Sequence, residues 1–224
     1  MANIQTLQVK LDYHFKDEQL LTEALSHRSS GSCNYERLEF LGDGFLNFTI
    51  ATELFHQRPG QDEGALSRLR ASLVRESTLA EIARELNLGD YLVMGVGELR
   101  SGGFKRDSIL SDVVESIVGA VFIEAGYERA RLLVLRLYGN RVAELPPSAQ
   151  LKDPKTLLQE QLQAKGLERP DYKVIDTKGK SHEMAFTVIC TLREPPIAIS
   201  ATASSKRRAE QASARLMLDK IDAL

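Results

Sequence analysis

Residues 36–43, Glu-Arg-Leu-Glu-Phe-Leu-Gly-Asp, open a stretch that the sequence predicts as an α-helix. The acids Glu36, Glu39 and Asp43 stand at positions i, i+3 and i+7, so at roughly 100° per residue they share one narrow face. The stretch continues to Phe55 with apolar residues on nearly every side, which predicts a helix buried in a core. Carboxylates on a buried helix are costly unless another group compensates their charge.

Two kinds of compensation fit this stretch. A divalent cation is the first, because Mg²⁺ prefers hard oxygen ligands. The second is a partly exposed acidic edge whose charges pair with Arg37, Arg68 or Arg70. Spacing alone leaves both interpretations open.

A second apolar helix is predicted over residues 107–120, with its N-cap at Asp107 or Ser108. Asp112 and Glu115 are three residues apart, so they also share a face. The small residues that end this stretch leave room for a close helix neighbour. Two such helices can face one another and enclose an ion between their acids, as in carboxylate sites of four-helix bundles. The second stretch therefore favours the metal interpretation.

At these acids the chain resembles the ribonuclease III family. Residues 36–44 are similar to the family's signature, and residues 62–74 and 97–106 resemble the blocks that follow it in the family's order. The likeness covers nearly the whole chain. Tyr35 stands where Asn often precedes the first acid, and Gly44 stands where Ser or Ala often follows the last one. Neither difference removes an acid.

Length and composition bound the class of protein. The chain has 224 residues, 43% hydrophobic and 27% charged, which fits one large or two modest globular domains. It has no run of about 18 apolar residues and no N-terminal export signal, so neither a membrane span nor secretion is expected. Cys33 and Cys190 are far apart in sequence and suggest no disulfide framework. We expect a cytoplasmic protein with reduced thiols.

Three smaller features lie between and before the acidic helices. Glu63 begins a predicted helix, where the helix dipole alone explains an acid, but the resemblance implies that it assists the metal site. The loop at residues 100–106 has glycines beside three cations, which suits approach to a phosphate backbone as well as it suits a plain turn. His27 has no second His or Cys at metal-ligand spacing, so a structural or surface role is favoured.

The sequence changes class after Tyr138. Residues 144–152 are Pro-rich and short of core residues, which predicts a linker. Asp153 followed by proline predicts a helix start. Three strand-like runs and a final helix follow, at residues 172–175, 184–190, 197–201 and 204–224.

This α-β-β-β-α order resembles a double-stranded-RNA-binding domain. The resemblance implies RNA contacts from the first helix, the loop after the first strand and the start of the last helix: Gln159, Glu160, His182, Ser205, Lys206 and Arg207. Cations at a helix N-terminus also form an anion site by electrostatics. Ala201 and Ala203 replace glycines that usually precede the Ser-Ser-Lys sequence, which predicts weaker RNA binding. Residues 151–224 hold 13 Lys and Arg against 10 Asp and Glu, which agrees mildly with a polyanion partner.

The resemblance implies an all-α catalytic domain over residues 4–126 with a helical extension to about 143, a linker at 144–152, and an α+β RNA-binding domain at 153–223. It implies a homodimeric, Mg²⁺-dependent endoribonuclease, with Mn²⁺ able to substitute, that cuts double-stranded RNA to leave 5′-phosphate and 3′-hydroxyl ends. No nucleotide cofactor is expected, and precursors of rRNA with some mRNA and tRNA transcripts are the implied substrates. The implied metal ligands are Glu39, Asp43, Asp112 and Glu115. The implied catalytic residues are Asp43, Glu115, Glu36 and Glu63.

Two alternatives come from other classes of protein. All-α nucleoside-triphosphate pyrophosphohydrolases also use Glu-x-x-Glu and Glu-x-x-Asp helix pairs around Mg²⁺, but the C-terminal RNA-binding pattern argues against them. A catalytically inert binding module would be expected to lose acids, and all six are present here. Incubation with long duplex RNA and Mg²⁺ separates the three hypotheses.

Overall fold

The computed structural model describes residues 3–147, 152–179 and 184–222. The chain divides into two compact units, Met1–Leu151 and Lys152–Leu224. Each unit has its own hydrophobic core. The division falls in the region predicted as a linker, and the exact domain bounds stay a prediction. His182, predicted to contact RNA, lies outside the described residues.

The first unit is an all-α fold, as predicted. Short 3₁₀ turns lie at Arg28–Ser30, Leu88–Asp90, Gly103–Lys105 and Gly139–Val142. The α-helices of its described residues are α1 Ile4–Leu11, α2 Glu18–Ala24, α3 Glu36–Gln57, α4 Glu63–Val74, α5 Glu76–Leu86, α6 Val96–Arg100 and α7 Asp107–Tyr138.

The α3 and α7 helices carry the acids, and they cross with their backbones in direct contact. A Cβ atom added at Gly42 would lie 1.8 Å from the carbonyl oxygen of Glu115, and one at Gly119 would lie 2.2 Å from that of Leu38. No side chain fits at either crossing position. This close crossing sets the first turns of α3 beside the acidic turns of α7.

The predicted burial of α3 is wrong along one face. Phe40, Phe48 and Phe55 are 83%, 59% and 67% exposed, whereas Leu46 and Ile50 of the same helix are fully buried. At roughly 100° per residue the three phenylalanines lie within about 80° of one another. A periodicity with apolar residues all round cannot show which face meets solvent, because both faces look alike in sequence.

The bounds of α6 and α7 also correct the predictions. The N-cap of α7 is Arg106, with an extended backbone, and α7 begins at Asp107 without a side-chain cap. Asp107 instead forms an ion pair with Arg84. The helix continues to Tyr138, with a kink at Gly126, whose φ is 75°. Short α6 was not predicted.

The second unit has the predicted α-β-β-β-α order. Its antiparallel sheet has the order β1-β2-β3. Val188, Cys190 and Leu192 of the middle strand are buried on one face, and Leu158 and Met217 from the two helices complete the core. The elements are α8 Pro154–Ala164, β1 Asp171–Lys178, β2 Ala185–Leu192, β3 Ile197–Ala203 and α9 Lys206–Asp222.

None of the described helices is long and apolar enough to cross a membrane. Cys33 is exposed and Cys190 is buried, and both are free thiols.

Candidate active site

Three carboxylates from α3 and α7 come together where the two helices cross. Glu39 lies on the first turn of α3, and Asp112 and Glu115 lie on successive turns of α7. One carboxylate oxygen of each lies within 4.8 Å of the others. All three side chains are partly buried. Glu39 thus joins two acids that lie 73 and 76 positions further along the chain.

Two further predicted acids lie beside this cluster. Asp43 is exposed one turn further along α3, and its Oδ1 accepts a hydrogen bond of 2.6 Å from the amide of Asn47. Glu36 is exposed at the start of α3, with its carboxylate 3.6 Å from the guanidinium of Arg28. Glu36 therefore pairs with an arginine outside the three that the sequence suggested.

Burial and mutual repulsion raise the pKa values of the clustered acids. Burial raises the pKa of Glu115 to about 8, with additions from the charges of Asp43, Asp112 and Glu39. Burial likewise raises the pKa of Glu39 to about 7, helped by the charges of Asp112, Glu36 and Asp43. The pKa of Asp112 is also raised by burial. The cluster holds more negative charge than its own surroundings neutralise, so it favours protons or a cation.

The donor set fits a hard divalent cation. Mg²⁺ takes oxygen ligands at 2.0–2.1 Å in an octahedron, so opposite ligand oxygens are about 4.2 Å apart. The three carboxylate oxygens all lie within 4.8 Å of one another, and an inward shift would bring them to the separations of such a site. The charge repulsion already described would reward that shift once a cation is present.

A polar pocket of about 340 Å³ opens beside the cluster. Arg28 and Arg106 bring positive charge to its rim, and Arg106 is held by Glu98 at 2.8 Å. The buried His27 lines the pocket too, while its Nδ1 accepts from the backbone N–H of Ser29, which fits the structural role expected for it. The remaining lining residues are Tyr35, Glu36, Glu39, Ser108, Ile109 and Asp112.

Glu63 lines a different pocket from the one beside this cluster. It is the first residue of α4, and its carboxylate accepts a hydrogen bond of 2.9 Å from Ser67. It lines a second pocket of about 530 Å³ together with the exposed Phe55 and with Arg70. Among the described residues, the group of acids within metal-binding reach contains Glu39, Asp112 and Glu115 but not Glu63.

The described residues of the second unit that are predicted to contact RNA lie on α8 and at the start of α9. Lys206 and Arg207 are exposed at the start of α9. The hydroxyl of Ser205 accepts from the backbone N–H of Arg208 at 3.2 Å, so it caps the helix. Glu210, one turn on, is held by Lys155 at 2.7 Å and is 3.9 Å from Lys206.

The α8 residues differ in exposure. Gln159 is partly buried, and the exposed Glu160 forms an ion pair of 2.5 Å with Lys152.

Sequence reasoning missed the neutral residues that hold the acids. Tyr35 donates to Asp112 across 77 positions, and Ser111 lies 3.5 Å from the same carboxylate. Asn47 holds Asp43 from one helical turn away, a spacing that could have indicated the contact. No local pattern reveals the tyrosine contact, because it depends on how α3 and α7 cross.

The fold and the site define a class of protein: a nuclease that joins a helical carboxylate site to a domain for double-stranded RNA. A family model described as ribonuclease-III-like matches residues 17–142, and one described as double-stranded RNA binding motif matches residues 154–221. The chain belongs to the ribonuclease III family. It is therefore an endoribonuclease specific for double-stranded RNA.

Individual relatives agree with this assignment. A protein of Alkalilimnicola ehrlichii named Ribonuclease 3 is 50% identical, over 96% of this chain and 95% of its own length. Its namesake in Vibrio vulnificus is 49% identical over 97% of each chain. A solved nuclease domain of Campylobacter jejuni ribonuclease III, described as flexible in a region involved in dimer formation, is 47% identical. It superposes with a TM-score of 0.62 and covers 64% of this chain and 100% of its own.

Proposed function

We propose that this endoribonuclease hydrolyses the phosphodiester bonds of double-stranded RNA with Mg²⁺ held by Glu39, Asp43, Asp112 and Glu115. We also propose that Mn²⁺ can replace Mg²⁺. The observation that carries the proposal is the convergence of three carboxylates within 4.8 Å at the α3–α7 crossing. Their raised pKa values support it, because acids that repel one another gain most from a shared cation.

In this reaction the residues of the chain hold the metal and fix the positions of its ligands. When bound, the metal polarises a phosphoryl oxygen and lowers the pKa of the attacking water. Asn47 fixes the Asp43 carboxylate, and the backbone contact at Gly42 fixes the spacing between α3 and α7. Water forms the new bond to phosphorus and the 3′ oxygen leaves with a proton, so the products carry 5′-phosphate and 3′-hydroxyl ends.

Two of the proposed catalytic acids, Glu36 and Glu63, lie outside the group of three carboxylates. Glu36 adds charge beside Glu39, which supports a role as an outer ligand or at a second metal. Glu63 has no such support within one chain, because it lines a separate pocket. Its assistance in catalysis rests on the family resemblance alone.

We propose that the second unit holds the duplex through phosphates and 2′-hydroxyls, read mostly by shape. The exposed Lys206 and Arg207 beside the helix start at Ser205 support contacts to phosphate. Gln159 and Glu160 would reach the duplex from α8, and His182 from the loop after β1. The Ala201 and Ala203 substitutions would weaken this binding.

A homodimer is the proposed assembly, each subunit cutting one strand. The exposed face of α3 supports it, since Phe40, Phe48 and Phe55 are large apolar side chains that a partner would cover. Ile123 of α7 is 59% exposed as well. Cytoplasmic precursors of rRNA, with some mRNA and tRNA transcripts, are the proposed substrates on family grounds.

The direct test is incubation of the full chain with a long RNA duplex, with and without Mg²⁺. We expect shortened duplexes only with the metal, ends that accept labelled phosphate only after phosphatase treatment, and no cleavage of either strand alone. A gel shift without cleavage in Mg²⁺ would contradict the proposal. So would turnover of nucleoside triphosphates in place of RNA.

A further inference from the structure

Tyr35 is buried where α3 begins. It occupies the N-cap position of α3, yet its side chain makes no capping hydrogen bond. The residue is only 3% exposed, and its ring lies 5.8 Å from that of His27 between centroids. Its backbone N–H donates to Ser26 at 2.9 Å, and its carbonyl accepts from the N–H of Glu39 at 2.8 Å. Packing and backbone bonds together fix the direction of the ring.

The hydroxyl of this ring reaches the acidic cluster from the opposite helix. It donates to Oδ2 of Asp112 at 3.4 Å, and the Ser111 hydroxyl lies 3.5 Å from Oδ1. A carboxylate oxygen can accept at two lone pairs, so each oxygen keeps one free. The bond from Tyr35 also counteracts the rise in pKa that burial imposes on Asp112.

We infer that Tyr35 is a positioning residue of the metal site, which orients the Asp112 carboxylate toward the cation before the cation arrives. This inference rests on the proposed function, because the orientation matters only if the cluster binds a metal. A fixed carboxylate loses little rotamer freedom when a ligand binds, whereas a free one must be ordered first. Partners behind a metal ligand change metal affinity through this effect.

The test is titration of Mn²⁺ alone into the full chain without RNA, with free Mn²⁺ measured by electron paramagnetic resonance. Tyr35→Phe keeps the ring and removes the hydroxyl, and we expect it to weaken Mn²⁺ binding about tenfold. In RNA cleavage, the half-saturating Mg²⁺ concentration should rise by a similar factor. The cleavage rate at saturating Mg²⁺ should fall far less, because the same carboxylates then hold the metal in both proteins.

The matched control is Tyr13→Phe. The hydroxyl of Tyr13 also donates to a carboxylate from a distant part of the chain, that of Glu124, which is not part of the cluster. This variant should bind Mn²⁺ as the unaltered protein does. In an Asp112→Asn background, Tyr35→Phe should cause no further loss, because the hydroxyl acts through that carboxylate.

Equal Mn²⁺ affinity of Tyr35→Phe and the unaltered protein would overturn the inference, as would an equal loss in Tyr13→Phe. If Tyr35→Phe fails to fold, the unaltered protein supplies the test. It has no tryptophan to obscure the absorption of its tyrosines. Because the Tyr35 hydroxyl contacts Asp112, Mn²⁺ binding should perturb a tyrosine absorption band. A titration without that perturbation would overturn the inference too.

Failure of the proposed function would look different. The Glu115→Gln variant would then bind Mn²⁺ as well as the unaltered protein, and both ideas would fall. A clear difference between those two proteins, with unchanged binding by Tyr35→Phe, would reject the tyrosine's role alone.

Discussion

The acids of the cluster destabilise the metal-free fold at neutral pH. Glu115 has a pKa of 4.5 when unperturbed and about 8 in the folded protein. Between these values the folded state binds more protons than the unfolded state, so the free energy of unfolding falls as pH rises through this window. The same sign holds for Glu39, whose pKa is about 7. The charge repulsion that favours cation binding therefore lowers the stability of the metal-free protein.

Glu115→Gln should therefore stabilise the metal-free protein at about pH 8, by on the order of 1 kcal/mol after allowance for solvent screening. The variant removes a charge that burial and neighbouring acids oppose. At about pH 5 the gain should largely disappear, because the glutamate is then protonated in the fold. Thermal denaturation in EDTA at both pH values measures the difference. A variant less stable than its parent at pH 8 would contradict the assigned repulsion.

Sequence periodicity placed acids on shared helix faces but did not show which of them come together. Glu39 and Asp112 each belong to such a face, because spacing of three and four residues places acids on one side of a helix, and their role at a metal site came from the family resemblance. Tyr35 could not be predicted, because its contact with Asp112 depends on the crossing of two distant helices. Glu63 is the opposite case. The family resemblance predicted it at the site, but within one chain it lines another pocket.

At the scale of elements, the crossing of α3 and α7 determines the geometry of the cluster. Gly42→Ala should destabilise the fold by about 2–3 kcal/mol, because its Cβ would collide with the Glu115 backbone, which cannot move freely. Pushing the helices apart should also separate Glu39 from Glu115 and reduce cleavage. Urea denaturation and cleavage rates measure both effects.

The matched control lies two residues away on the same helix. A Cβ at Gly44 would meet no heavy atom of the described residues within 4 Å. Gly44→Ala should stabilise the protein by about 0.5–1 kcal/mol through helix propensity alone. If the two variants had equal stability, the close backbone approach at Gly42 would be wrong.

The start of α9 should act as a phosphate clamp. Lys206→Ala should weaken binding to unrelated duplexes about equally, because phosphate contacts carry little sequence information. The slope of log affinity against log salt should become shallower by roughly one contact. Lys220→Ala, an exposed lysine in the last turn of the same helix, is the control and should leave the slope unchanged. A loss confined to one RNA sequence would argue against a clamp.

Element order was largely predictable, and the exposed faces were not. The helix start at Asp153 followed from the Asp-Pro pair, and the Asp153 side chain accepts from the N–H of Thr156 at 3.1 Å. The exposure of Phe40 and its neighbours on α3 had no local signal, because a helix that is apolar all round looks the same whether a core or a partner covers it.

At the scale of the whole molecule, the two units have separate cores. Removal of all residues after Pro147 should leave a folded, dimeric and weakly active nuclease. RNA binding should be poorer, most of all at higher salt, since fewer phosphates are neutralised. Sedimentation, denaturation and cleavage of the truncated chain test this. An insoluble or monomeric product would contradict independent folding of the first unit.

The central claim is that carboxylates at the α3–α7 crossing hold the metal that cuts double-stranded RNA. Single-turnover cleavage of a labelled duplex by Glu115→Gln in Mg²⁺, beside a gel shift with the same RNA, tests it most directly. We predict a loss of cleavage of roughly a hundredfold or more, since the metal contributes several kcal/mol to the transition state. Duplex affinity should be nearly unchanged, and Glu128→Gln, an exposed glutamate of the same helix, should cleave normally. Near-normal cleavage by Glu115→Gln would contradict the account.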